Sequence, residues 1–262
     1  MATLEENVRQ ANSDFNAIKA KIIESGIEIA EGTKTEEYAT KVGKVYDKGR
    51  QDENNAFWDN ITNYGNRMSY STAFAQWSNE YIRPNRKIAP PGSTSGNSTF
   101  NACPNLKKIE AEYFDFSQKA TGTSSSSGWY YTFYNCPELE EIEDIGLTAA
   151  QYGYTYTFAN CKKLHTIGAV RTDENTLFSH TFDFCNLLVN LNVIGTIAKN
   201  GIDMHWSTKL SKASITSIIN ALSPTTSGLT VTLSQTAVNN AFTTEEWNAL
   251  IATKTNWTIS LV

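Results

Sequence analysis

Four cysteines, three histidines and several adjacent carboxylates are the residues of this chain that could do chemistry. Cys103, Cys136, Cys161 and Cys185 could bind a metal or pair as disulfides, which requires their sulfurs to converge. No two of them stand in the C-x-x-C spacing that brings sulfurs together locally. The competing reading makes each one a small buried apolar residue, since free cysteine is among the most buried residue types. His165 lies between Leu164 and Ile167, His180 stands where related segments carry an aromatic, and His205 is in a third context. No H-E-x-x-H, G-x-S-x-G, Walker loop or G-x-G-x-x-G is present. Glu140-Glu141 and Glu143-Asp144 could be drawn as a glycosidase dyad, but that chemistry needs two carboxyls at a fixed separation across a cleft. On solvated strand positions such pairs are solubilising. The expectation is a non-enzymatic protein with no catalytic residue, no metal and no cofactor.

Contact chemistry is better represented. Trp129, Tyr130, Tyr131, Tyr134, Tyr152, Tyr154 and Tyr156 are concentrated in two adjacent segments. Tyrosine offers a large contact area with a polar tip and little entropy to lose, which suits recognition of protein or sugar. Trp129, Tyr131, Tyr134, Tyr152, Tyr154 and Tyr156 are the candidate ligand surface. Alternation would pack half of such residues inside, and the sequence does not say which face is outward.

The elements that must position these residues form an internal repeat. Four segments align without gaps on T-F-x-x-C-x-x-L/I: Thr99-Phe100…Cys103…Leu106, Thr132-Phe133…Cys136…Leu139, Thr157-Phe158…Cys161…Leu164 and Thr181-Phe182…Cys185…Leu188. The later cysteines are ~25 residues apart, within the range of leucine-rich repeats. The first interval is longer by a serine-rich insertion at 121–128. Phe100, Cys103, Phe133, Cys136, Phe158, Cys161, Phe182 and Cys185 are the expected repeat core, with the cysteines as a buried ladder. Aromatics at every second position before each Thr-Phe predict a short strand, and the Leu-x-x-Ile piece predicts a second. One repeat cannot bury its own apolar face, so the turns are expected to stack as a solenoid.

The flanks differ in character. Leu4, Val8, Ala11, Phe15, Ile18 and Ile22 are spaced 4, 3, 4, 3, 4, a heptad register that Gly26 can end. Two readings fit: an amphipathic helix lying on its own domain, or an oligomer seam, most simply a trimer. Thr33 and Glu36 have capping-box spacing for a second helix. Beyond the repeats, Ser214–Leu222 predicts a helix, Leu229–Leu233 a strand, Thr243–Ala252 a helix and Trp257–Leu261 a strand. The fold class is α+β: a helical attachment region at 1–65, a leucine-rich-repeat β-solenoid at 66–206 and an α/β cap at 207–262.

Composition narrows the partners. The chain has 262 residues, 40% hydrophobic and 19% charged, which is foldable and unlike a disordered chain. A net charge of −5, with no basic run longer than Lys162-Lys163, argues against nucleic acid. No window approaches the ~20 apolar residues of a membrane helix, so no membrane insertion is expected. The polar start MATLEENVRQ lacks the features of a signal peptide, so synthesis and retention in a cytoplasm are expected.

The T-F-x-x-C-x-x-L-x-x-I unit resembles the BspA-type leucine-rich repeat family, common in surface proteins of gut bacteria and in their prophages. Trp58 to Arg67, Ala73-Phe74, Trp77, Lys209 to Ser223 and Asn256-Trp257-Thr258-Ile259 are similar to flanking segments of phage and prophage members. Phe15 to Gly49 is similar to a segment of phage tail proteins of Gram-positive hosts. The resemblance implies a bacteriophage virion protein made in the bacterial host cytoplasm, most simply a tail-tip or tail-fibre receptor-binding protein. It would contact other virion proteins through residues 1–65 and a host-surface glycan or protein through the repeats. Alternatives are a head decoration or head fibre, a bacterial surface adhesin, which would need an export signal or wall anchor, and an intracellular scaffold. Mass measurement in solution tests the seam: the trimer reading expects three times the chain mass, and a clean monomer would remove it.

Overall fold

Each Thr-Phe segment hands its backbone hydrogen bonds to the next copy of itself. The Phe N–H donates to the threonine carbonyl of the following segment: Phe74 to Thr99 at 2.7 Å, Phe100 to Thr132 at 2.8 Å, Phe133 to Thr157 at 2.9 Å and Phe158 to Thr181 at 3.0 Å. These bonds come from a computed structural model that describes residues 74–84, 87–89, 97–117, 128–148 and 153–262. The expected helices of 1–65, with Leu4, Val8, Ala11, Phe15, Ile18 and Ile22, lie outside the described residues, as does the serine insertion at 121–127. What is described falls within one compact unit, Asn66–Val262.

The aromatic segment before each cysteine is a turn, not the expected strand. The residue two before each Phe is left-handed: Ser98, Tyr131, Tyr156 and His180 have φ of 56°, 54°, 55° and 55°. The residue two after is left-handed as well, at Gln76, Ala102, Asn135, Asn160 and Phe184. In a strand, positions i, i+2 and i+4 share one face. Here the left-handed middle residue turns outward, so Trp129 and Phe133 are buried while Tyr131 is half-exposed. Period-two spacing is common to both geometries, and the sequence pattern alone favours the strand.

Phe74, Phe100, Phe133, Phe158 and Phe182 form one column, with successive ring centroids 5.2, 5.1, 5.7 and 5.7 Å apart. The threonine and cysteine of the motif have matching tasks. Thr157 and Thr181 are buried and donate to the carbonyls of Trp129 and Tyr154 one segment back, at 2.7 and 2.8 Å. Each cysteine Sγ does the same to a Phe carbonyl. Buried carbonyls thereby gain a partner, and a small side chain with a donor is the kind that fits.

The row extends beyond the four motif copies at both ends. Phe74 pairs with Thr99, and Trp77 stands in the cysteine position and donates to the Phe74 carbonyl at 3.1 Å. After Cys185, Met204 takes the Phe position, Ser207 the cysteine position and Leu210 the leucine position. Ser207 N donates to Met204 O at 2.9 Å, and Leu210 N to Ser207 O at 3.4 Å, repeating the Cys185-to-Phe182 and Leu188-to-Cys185 bonds.

The Leu-x-x-Ile pieces give a parallel four-stranded sheet in the order β1 (Lys108–Ile109), β2 (Glu141–Ile142), β3 (Thr166–Thr172), β4 (Asn190–Gly195). Ile109, Ile142, Ile167 and Leu191 stand in register and are buried. A second parallel sheet holds β5 (Asp203–Met204), β6 (Leu229–Leu233) and β7 (Trp257–Leu261). β5 precedes position 207, so this sheet reaches back across the boundary expected between repeats and cap. Three helices accompany it: α1 (Lys212–Ala221), α2 (Gln235–Ala241), which the sequence pattern did not suggest, and α3 (Thr244–Ile251). α3 opens with a capping box in which Thr243 and Glu246 satisfy each other's backbone N–H.

α1 closes the open edge of β4 with side chains. Ser214 Oγ accepts from Leu191 N–H at 2.9 Å and donates to Val189 O at 2.8 Å, and Ser217 Oγ accepts from Val193 N–H at 3.2 Å. These hydroxyls stand where the backbone of a next strand would stand. Replacing Ser214 with Ala orphans the buried Leu191 N–H, which costs about 1–3 kcal/mol, while Val189 O keeps the Ser211 N–H at 2.9 Å. Chemical denaturation of Ser214→Ala should show that loss, a larger one for Ser214→Ala with Ser217→Ala; unchanged stability would refute the edge-closing role.

Candidate binding surface

The expected ligand surface divides in two. Trp129 and Tyr154 are 1% and 0% exposed and belong to the interior, in the position four before each Phe, which Phe178 also occupies. Trp129 stacks on Phe116 at 4.8 Å and donates its indole N–H to Thr148 O at 2.8 Å. Tyr154 stacks on Phe178, and its hydroxyl lies 2.8 Å from the carbonyls of both Leu147 and Arg171. Their polar tips are satisfied inside, so neither can serve as a contact residue. Tyr152 lies outside the described residues.

Tyr131, Tyr134 and Tyr156 are at the surface, half-buried against one another. Tyr131 stacks on Tyr156 at 5.0 Å, and Tyr156 on His180 at 4.7 Å, one such side chain per turn. Tyr130 and Tyr134 meet Tyr131 edge-on at 4.2 and 4.8 Å. Hydrogen bonding with Tyr130, with burial second, pushes the Tyr131 phenol up to about 12. Left-handed backbone costs about 1–2 kcal/mol per residue. Each aromatic stack contributes about 0.5–1.5 kcal/mol. The stacks offset part of that cost. Both faces of Tyr156 are covered, so the row offers edges and hydroxyls to a partner.

The outward aromatics continue past the tyrosines. Phe184 is 39% exposed and lies 4.4 Å from Trp206, the equivalent residue of the next turn, and Trp206 lies 4.6 Å from His205. Sequence reasoning passed over this pair because Trp206 belongs to the turn whose Phe and Cys are replaced by Met204 and Ser207. The two histidines beside it are paired to carboxylates, His180 Nδ1 to Asp183 at 2.8 Å and His205 Nδ1 to Asp203 at 2.7 Å. His165 is exposed beside Thr166.

The acidic pairs bridge neighbouring turns. Lys108 reaches Glu141 at 3.2 Å and Glu143 at 2.6 Å, and Arg171 grips Asp144 through two bonds of 2.7 Å. These cations hold Glu143 and Asp144 below the usual carboxylate range. A groove of about 270 Å³ between β3, β4 and the start of α1 is lined by Thr166, Asn190, Asn192 and Ser211 over Ile167 and Leu191. None of its lining residues is ionisable. Among the described residues no three His, Cys, Asp or Glu are grouped to hold a metal, and no helix is long and apolar enough to cross a membrane.

Cys103, Cys136, Cys161 and Cys185 are free and fully buried. Their sulfurs lie 3.0, 3.0, 3.0 and 3.1 Å from the carbonyls of Phe74, Phe100, Phe133 and Phe158. Hydrogen bonding to Cys136, then burial, pushes the Cys103 thiol up, and burial pushes up Cys185. A thiol held neutral is a poor nucleophile. Comparison of the chain with protein-family models, curated proteins and solved structures returns no match.

Titration with a disulfide reagent should leave all four thiols unmodified in native buffer and release all four on unfolding. Fast labelling of the native chain would contradict the buried column.

Proposed function

We propose that the chain is a structural protein of a bacteriophage virion, most simply a tail-tip or tail-fibre protein that contacts the host surface. The observation that carries this reading is the row of outward rings in three successive turns, Tyr131, Tyr156 and His180. Rigid aromatics lose little entropy on binding and are enriched at recognition surfaces. The similarity of the T-F-x-x-C-x-x-L-x-x-I unit and of its flanks to phage members of the BspA-type leucine-rich repeat family supports the same reading. In it, the stacked turns are a short leucine-rich solenoid, residues 1–65 join the particle and trimerise through the heptad positions, and the virion is the protein's location. The partner is a host-surface glycan or protein, and no cofactor or enzymatic step is involved.

Mass spectrometry of purified particles, with head and tail fractions separated, should find the chain in the tail. Its absence from particles would overturn the reading. In host-cell binding by the full chain, Tyr131→Ala combined with Tyr134→Ala and Tyr156→Ala should weaken attachment at least about tenfold. Undiminished attachment by this folded variant would remove the tyrosine row from the contact surface.

A further inference from the structure

The outward face of the first sheet changes character halfway along. In register, its outer positions read Lys108, Glu141, Thr166 and Asn190. Two residues further on they read Glu110, Glu143, Gly168 and Asn192. The first two turns cover this face with long charged side chains, and Lys108 reaches Glu141 at 3.2 Å and Glu143 at 2.6 Å. The next two carry no charge at these positions and nothing longer than asparagine. The groove of about 270 Å³ between β3, β4 and the start of α1 opens where the charged cover stops. Gly168 is required there by the fold, since a Cβ would meet the backbone of Asp144. Asn190 and Asn192 answer no such demand: both are exposed, on a strand, where asparagine is a depleted residue type. Residues set against local preference without a gain in packing are expected at functional sites.

The two amides are available to a ligand. Asn190 Nδ2 donates to Thr166 Oγ1 at 3.3 Å, which orients the amide and leaves its Oδ1 as an acceptor. The Asn192 amide bonds to no other described residue and keeps both a donor and an acceptor. β3 carries one more residue than β4 between the pairs Ile167–Leu191 and Val170–Val193, a bulge that sets Gly168 and Ala169 opposite Asn192. Bulges re-aim side chains and are over-represented beside functional sites. No ionisable residue lines the groove, so a charged ligand would find no counter-charge for the water it gives up. A volume of about 270 Å³ lies below the ~300–1,000 Å³ of drug-sized sites and suits a single ring. A neutral saccharide unit meets these conditions. Its hydroxyls both donate and accept, and an asparagine amide presents the two functions side by side. Gly168 and Ala213 line the same groove without polar side chains, where C–H groups can lie.

We propose that this groove binds a neutral saccharide unit through the amides of Asn190 and Asn192. The site is separate from the tyrosine row, and its occupation does not depend on where the protein acts. NMR titration of the full chain with methyl glycosides of neutral hexoses and N-acetylhexosamines tests it, read at the asparagine side-chain amides. Saturable shifts of the Asn190 and Asn192 amide signals are expected with at least one neutral glycoside, and weaker binding of glucuronic acid. Asn190→Thr combined with Asn192→Thr suits the strand better, so it should keep or raise the melting temperature. The same variant should weaken binding about tenfold or more, measured by saturation transfer to the glycoside. Tyr131→Ala should leave glycoside binding unchanged, which separates a failure here from a failure of the tyrosine contact surface. No saturable shift with any neutral glycoside, tightest binding by glucuronic acid, or full binding by the folded double variant would overturn the proposal. Shifts produced by acetyl-triglycine amide and by no glycoside would assign the groove to a peptide and overturn it as well.

Discussion

Parallel pairing between successive turns is the constraint from which the rest of this structure follows. Successive turns must return to the same place one strand spacing further on, because the N–H groups of Phe74, Phe100, Phe133 and Phe158 each donate to the threonine carbonyl of the next turn. Identical register brings identical residues together. Hence the Phe column, the buried threonines, the cysteine column and the row Ile109, Ile142, Ile167, Leu191 all run along the stack. The same constraint makes surface features linear. Tyr131, Tyr156 and His180 form a row because their backbones do.

Interior and surface were unequally legible in the sequence. After residue 210, α1, α3, β6 and β7 follow from ordinary periodicity, with β6 and β7 at their expected limits, whereas α2 left no signal in the pattern. The Leu-x-x-Ile strands were also readable, because the buried Ile recurs at a fixed distance from the cysteine. The aromatic segments were not. A single left-handed residue leaves no mark in a hydrophobic pattern, and at Tyr131 and Tyr156 not even the residue type signals it. Consequently Trp129 and Tyr154 looked like contact residues while serving as core anchors with satisfied polar tips. The outermost turns escaped for another reason: Trp77, Met204 and Ser207 preserve the packing task and not the letters of the motif.

The surface row and the interior column stabilise differently. Interior Phe residues gain burial and stacking together, so their positions tolerate little change of volume. Outward aromatics gain stacking but sit on disfavoured backbone, and the first offsets only part of the second. Such positions can vary with small effect on folding. Ser98 and Ala102 occupy the same left-handed positions in an earlier turn with no ring at all.

The cysteine column separates this fold from the chemical state of its surroundings. Each sulfur acts as a hydrogen-bond donor to a carbonyl of the neighbouring turn, and no covalent bond between turns depends on it. The stack therefore needs no oxidant to mature and has no crosslink to lose in a reducing cell. Burial protects the thiols where oxidants are present. The same column holds on either side of a cell envelope, and passage from one redox environment to the other leaves its contacts unchanged.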